Sequence, residues 1–259
     1  MSFNVSLETD RIRQFIKDYM EDVGPRSKVL VGISGGKDST ITAAICRDVL
    51  GRDRVIGVSI PDGRDKHTKA FNVCDSLDIR CVCYQSLADV NQLMYSDMGM
   101  IMAELGNEDP LSDTVKWNHP SRMRMTYLYM IANQIDARVA CTCNMSETYV
   151  GYDTQWGDQC GGFAPFQNYT ATELKAIGTF IGVPDRYVNV PPADDMCGQT
   201  DEQRWGFSYN ILDAYLRGAA IDPSIAEKIE AMHKRALFKI KSINIPSVSY
   251  FPSGSRRLC

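Results

Sequence analysis

The sequence predicts an α/β protein, a doubly wound parallel sheet flanked by helices, and three observations carry that expectation. Apolar runs of strand length alternate with amphipathic helical stretches along the chain. The first run breaks at Ser34-Gly35-Gly36-Lys37-Asp38-Ser39 and then turns helical. A second glycine-rich, polar passage follows a later strand, so two groups of chemistry-bearing residues fall at strand carboxyl ends, where open parallel sheets bind ligands.

The elements follow in chain order. Residues 7–20 form a charged amphipathic helix, which excludes a secretory signal there. Val29, Leu30, Val31 and Ile33 read as a strand buried on both faces, and Ile41, Ala44, Ile45, Val49 and Leu50 recur at helical spacing after it. Residues 54–60 are a second strand, 61–64 a turn, 66–77 a helix and 79–84 a third strand, followed by a long helical region. Residues 105–118, rich in Gly, Asn, Asp and Pro, read as a mobile loop. A helix over 122–135 and a fourth strand over 138–142 complete the pattern. No repeat or low-complexity tract interrupts it, and residues 1–259 read as a single domain.

Composition narrows the partners. The 28 basic against 32 acidic residues give a net charge of −4, which disfavours nonspecific nucleic-acid binding. No stretch reads as a membrane span. The nine cysteines are an odd number without a signal peptide and imply reduced thiols in a cytoplasmic protein. The close pairs Cys81–Cys83 and Cys141–Cys143 lack C-x-x-C spacing and read as buried structural thiols in strands, with zinc the less favoured alternative and no catalytic cysteine assigned.

The turn over 34–39 leaves backbone N–H groups at the positive end of a helix, where an anion fits, and glycine permits close approach. It is not a G-x-x-x-x-G-K-[ST] loop, because the glycines are adjacent and Lys37 precedes Asp38. The competing explanation is a tight loop in which Asp38 or Ser39 merely caps the helix. The second passage, residues 141–166, carries Asn144, Ser146, Glu147, Asp153 and Asp158 among Tyr149, Tyr152, Trp156, Phe163 and Phe166. Polar groups interleaved with that many aromatics suit a pocket lining better than a solvated loop. Glu147 and Asp38 together form a plausible carboxylate pair for a hard divalent cation such as Mg²⁺.

SGGKDS resembles the pyrophosphate loop of the N-type ATP pyrophosphatases. The segments NHPSRMRMTYLYMIA, CNMSETYVGYDTQWGD and GQTDEQRWGFSYNILDAYL resemble, in the same order, segments of the ammonia-dependent NAD synthetases within that group. The resemblance spans residues 29–239 and implies an adenine nucleotide alpha hydrolase-like fold and a ligase reaction. In that reaction ATP adenylates the carboxylate of deamido-NAD, pyrophosphate leaves, and ammonia displaces AMP to give NAD. The resemblance places ATP at Gly32, Ile33, Ser34, Gly35, Gly36, Lys37, Asp38, Ser39 and Thr142, and deamido-NAD at Arg122, Gln155 and Lys239. It makes Asp38 and Glu147 both the catalytic residues and the Mg²⁺ ligands. Arg122 has a rival reading as a helix-surface salt-bridge residue.

Four positions depart from the family pattern: Gln155 and Ala171 replace lysines, Pro192 replaces a threonine and Phe238 replaces a histidine. Phe238 also reads as a helix-face core residue. The chain carries no glutaminase domain in this reading, so free ammonia or a donor protein supplies nitrogen. The family implies a homodimer, with residues 122–135 and 201–216 as candidate interface helices. A related amide ligase for another acid, a tRNA thiolase and a nucleotide-binding regulator that has lost catalysis remain the alternatives.

Overall fold

The computed structural model describes residues 3–63, 67–84, 86–189 and 200–240. Four parallel strands, β1 (Lys28–Gly32), β2 (Val55–Ser59), β3 (Arg80–Cys83) and β4 (Ala137–Val139), lie in the order β3-β2-β1-β4. From β1 the chain steps outward through β2 to β3, then returns to place β4 on the other side of β1. The reversal puts the topological switch point between β1 and β4. A doubly wound sheet opens a crevice at such a point.

Helices α1 (Val5–Val23), α2 (Lys37–Leu50) and α3 (Thr68–Ser76) precede β3, and α4 (Ala88–Glu104) and α5 (Asp113–Gln134) connect it to β4. Beyond β4 come α6 (Met145–Val150), α7 (Ala171–Phe180), α8 (Asp185–Val188), α9 (Asp201–Trp205), α10 (Tyr209–Leu216) and α11 (Pro223–Ile240). Val29, Val31 and Val55 pack on one face of the sheet with Ile12, Ile16, Ile41, Ile45, Leu174 and Ile177. Leu30, Ile56 and Val58 pack on the other with Met125, Leu128 and Ala132 of α5. This two-sided burial explains the continuous apolar runs of β1 and β2. A third cluster, with Trp205, Phe207, Tyr209, Leu212 and Ile229, joins α9, α10 and α11 to Val150 of α6.

Three expectations need correction. The loop expected over 105–118 is shorter, because Ser112 caps α5 and accepts a hydrogen bond from the Val115 amide. Pro120 lies inside that helix, which begins at Asp113 rather than at the expected residue 122. The fourth strand ends at Val139 rather than at residue 142. Past it, Ala140 bridges to Phe163 and the Cys141 amide donates to the Phe163 carbonyl at 2.9 Å, so the later passage folds back along this edge. Cys141 and Cys143 therefore lie beyond the strand, yet both thiols donate to the Asp158 carbonyl. Cys46, Cys74, Cys141 and Cys143 are buried, whereas Cys81, Cys83 and Cys160 are half-buried. Cys197 and Cys259 lie outside the described residues.

Leu30, fully buried between the sheet and α5, tests this arrangement. Leu30→Ala is expected to lower unfolding stability by about 3 kcal/mol, read as a lower denaturant midpoint at unchanged slope.

Candidate active site

The turn after β1 is organised by its own hydroxyls. Ser34 Oγ accepts from the Gly36 amide at 3.1 Å and lies 3.2 Å from Ser39 Oγ. Gly35 has φ +87°, and a Cβ there would sit 2.5 Å from Lys69 Cβ, so α3 covers the turn only because the residue is glycine. Gly36 is the N-cap of α2 and no side chain caps that helix. Lys37, Asp38 and Ser39 thus belong to its first turn, and the capping role considered for Asp38 or Ser39 is not realised. The first-turn amides of α2, with the helix dipole behind them, face the switch-point crevice.

Across the crevice, Asn144 joins two carboxylates that are distant in sequence. Its Oδ1 accepts from the Glu147 amide at 3.1 Å, capping α6, and the Glu147 side chain reaches back to the Asn144 amide at 3.5 Å. Its Nδ2 donates to Asp38 Oδ1 at 3.0 Å. Lys37 completes the group, with Nζ 2.6 Å from Asp38 Oδ2 and 4.0 Å from Glu147 Oε1. Burial and the neighbouring Asp38 charge push the Glu147 carboxyl well above its ordinary range, although Lys37 opposes the shift. Burial disfavours the Lys37 ammonium, but Asp38 and Glu147 outweigh it and raise its pKa. The two carboxylates are hard oxygen donors, a pair that suits Mg²⁺ completed by phosphate oxygens and water.

Two residues of the site escaped the sequence reading. The Tyr209 ring lies 5.4 Å below the Lys37 ammonium, and its hydroxyl donates to Asp201 Oδ2 at 2.8 Å. Burial, then the nearby Glu147 and Asp201 charges, raise the Tyr209 pKa. Nothing in local pattern marks that pair, because tertiary packing brings α9 and α10 to the turn. Asn144 had a legible signal: Asn144-Met145-Ser146-Glu147 has the spacing of a capping box directly after a strand.

The other proposed contacts lie on one rim. Arg122 Nε donates to the Gln155 carbonyl at 3.1 Å, and Gln155 Nε2 donates to the Phe238 carbonyl at 3.3 Å. Lys239 Nζ donates to the carbonyls of Gly151 and Asp153, each at 2.7 Å. The structure thus gathers Arg122, Gln155 and Lys239, and the partner it gives Arg122 is a loop carbonyl. Phe238 is 63% exposed, which corrects the core reading of that residue. Ala171 is buried at 1% exposure, and its amide donates to Ser146 Oγ at 3.0 Å, so a lysine there would have no room. Thr142 is half-buried just beyond β4, on the same side of the sheet ends as the turn. Pro192 lies outside the described residues.

Asp153, beside this rim, is buried with both carboxylate oxygens unpaired. Burial and the nearby Asp158 charge raise its pKa from 3.8 to about 6, against a lowering by Lys239.

A parallel sheet whose switch point carries a phosphate-type turn and a facing carboxylate pair defines an adenine nucleotide alpha hydrolase-like protein. Comparison with known proteins narrows the class. The sequence model described as NAD synthase matches residues 8–244. The NH(3)-dependent NAD(+) synthetase of Methanocaldococcus jannaschii is 32% identical over 244 residues, covering 91% of this chain and 88% of that protein. Among solved structures, the NMN synthetase of Francisella tularensis superposes with a TM-score of 0.81 at 25% identity, covering 95% of this chain and all of that one (100%). The NH3-dependent NAD synthetase of Campylobacter jejuni superposes with a TM-score of 0.73 at 21% identity, over 95% of this chain and 100% of that one. The chain belongs to the NAD synthase family, whose members use ATP.

A raised carboxyl pKa means that the folded state binds more protons than the unfolded one between pH 4 and 6, roughly, so stability falls as pH rises through that window. Asp153→Asn removes the penalty. Its thermal midpoint is expected to exceed that of the wild type at pH 7.5, by an amount equivalent to on the order of 2 to 3 kcal/mol, and the gain should vanish toward pH 4.

Proposed function

We propose that this protein is a ligase that amidates deamido-NAD with ammonia at the expense of ATP, releasing NAD, AMP and pyrophosphate. The observation that carries this reading is the meeting of Asp38 and Glu147 through Asn144, beside an uncapped helix N-terminus. The acid's carboxylate oxygen attacks the α-phosphorus of ATP, and the bond to the pyrophosphate oxygen breaks. The lone pair of ammonia then attacks the acyl carbon, AMP departs, and a proton passes to solvent. In this scheme Gly32, Ile33 and the turn over 34–39 hold the departing phosphates with first-turn amides, and Thr142 bounds the nucleotide on the β4 side. The work of the chain is orientation and charge stabilisation rather than covalent catalysis.

Asp38 and Glu147 are the residues suited to hold magnesium, which when bound neutralises charge on the leaving pyrophosphate. Arg122, Gln155 and Lys239 form the rim for the acid substrate. Residues 1–259 act as one synthetase domain that takes free ammonia, in the cytoplasm. No described helix is long and apolar enough to cross a membrane.

A second acid is favoured by two observations. The solved NMN synthetase matches this fold with a TM-score of 0.81, and at the rim the neutral Gln155 amide is committed to the Phe238 carbonyl. The corresponding acid mononucleotide is therefore the rival substrate.

One assay tests both readings: pyrophosphate release with ATP, Mg²⁺ and ammonium, supplied with either acid. Release that requires deamido-NAD and yields NAD is expected, and Asp38→Asn should reduce it at least about a hundredfold, the scale of losing a charge-stabilising group. Release only with the mononucleotide transfers the assignment to that acid. Background release with both rejects the synthetase reading.

We also propose a homodimer. Leu93, Met100 and Ile101 of α4 and Met130 of α5 are exposed apolar residues, whereas Leu212 of α10 is fully buried in the third cluster. The candidate surface is therefore α5 with α4, rather than α10. Light scattering should give a dimer mass, and the pair Leu93→Glu and Met130→Glu should give a monomer with an unchanged circular dichroism spectrum.

A further inference from the structure

A lysine serving only to greet phosphate would extend from the turn toward the ligand. Lys37 instead folds inward, with its side chain 5% exposed. Its ammonium touches Asp38 Oδ2 at 2.6 Å, stands 4.0 Å from Glu147 Oε1 and sits over the Tyr209 ring, whose hydroxyl is held by Asp201. Two carboxylates and an aromatic face, backed by Asp201, make a built cage for one cation. That cation is part of the chain.

The cage overlaps the donor set assigned to the metal. Magnesium binds carboxylate oxygen at roughly 2.0 to 2.1 Å. An ammonium in hydrogen-bond contact with the same oxygen would place two cations within about 4 Å of each other in a poorly screened site. Ammonium and metal therefore compete for Asp38.

We propose that Lys37 is a tethered cation that guards the carboxylate pair. It balances and orients Asp38 and Glu147 in the free protein, and it must leave before a divalent cation enters. ATP supplies the reason to leave, because its phosphate oxygens offer the ammonium a new partner. Metal thus enters with the nucleotide and not before it, which prevents the free protein from being locked by metal alone. Lys37 is a positioning residue for the metal carboxylates, and the inference rests on Asp38 and Glu147 being those carboxylates.

The test measures Mn²⁺ binding by electron paramagnetic resonance, on wild type and Lys37→Met, with and without α,β-methylene ATP. Wild type is expected to bind Mn²⁺ weakly until the nucleotide is added. Lys37→Met, which is unbranched, one atom shorter and uncharged, should bind Mn²⁺ without nucleotide at least about tenfold more tightly. In chelator the variant should melt below wild type, and Mn²⁺ alone should raise the variant's midpoint but not that of the wild type.

Nucleotide-free wild type binding Mn²⁺ as tightly as the variant, or as tightly as with nucleotide, overturns the role of Lys37 and leaves the metal site standing. Because the nucleotide's own phosphates bind Mn²⁺, the lysine variant is the deciding comparison, and Lys37→Gln takes its place if Lys37→Met does not fold. No Mn²⁺ binding by either protein, with or without nucleotide, removes the metal site itself and the inference with it.

Discussion

Two like charges held in one partly buried place are the constraint on which the rest of the structure depends. Asp38 rides on the first turn of α2 and Glu147 on α6, where burial and the Asp38 charge raise the cost of ionising Glu147. Asn144 fixes their relation with one side chain, capping α6 with its oxygen and donating to Asp38 with its nitrogen. Lys37 supplies the compensating charge. Removing one partner from such a buried group leaves an uncompensated charge, which is why the arrangement is costly to break even where its net contribution to stability is small.

The polar junction behind α6 keeps that geometry from drifting. Ser146 Oγ donates to Asp213 Oδ1 at 2.5 Å and accepts from the Ala171 amide, while Asp213 Oδ2 accepts from the Thr172 amide at 2.7 Å. One buried carboxylate thereby locks α6, α7 and α10 together, every donor finding an acceptor. From the other side, Glu230 of α11 accepts from the hydroxyls of Tyr149 and Tyr215, each at 2.7 Å, and His233 stacks on Tyr149. Gly151 ends α6 with φ +72°, and a Cβ there would lie 2.5 Å from Ala236 Cβ, so α11 approaches as closely as glycine permits. The same approach carries Lys239 to the rim.

The positions that depart from the family pattern have separate physical explanations. At Ala171 the backbone amide, not the side chain, takes part in the Ser146 junction. At Gln155 the side-chain amide and main-chain carbonyl tie the rim loop to α11 and α5. At Phe238 the carbonyl serves the rim while the ring projects outward. At Gln155 and Phe238 the contacts that hold the rim thus run through backbone carbonyls.

Much of the protein was legible in its sequence. The apolar runs named β1 and β2 most clearly, because strands buried on both faces need unbroken hydrophobicity, and the Gly35-Gly36 turn marked the crevice because α2 could not otherwise start so close to α3. The length of α5 was misread, since the Gly, Asn, Asp and Pro content of 105–118 reads as loop, whereas Ser112 caps a helix that carries Pro120 inside it. Asp38 and Glu147 stood out as acids at strand ends. Their union through Asn144, the inward fold of Lys37 and the floor made by Tyr209 and Asp201 were decided by tertiary structure alone. Local pattern determines which face of an element is apolar and where it stops, because those preferences act over a few residues. Which polar side chains meet across a crevice depends on how whole elements pack, and the Asn144–Asp38 bond spans 106 positions in the chain.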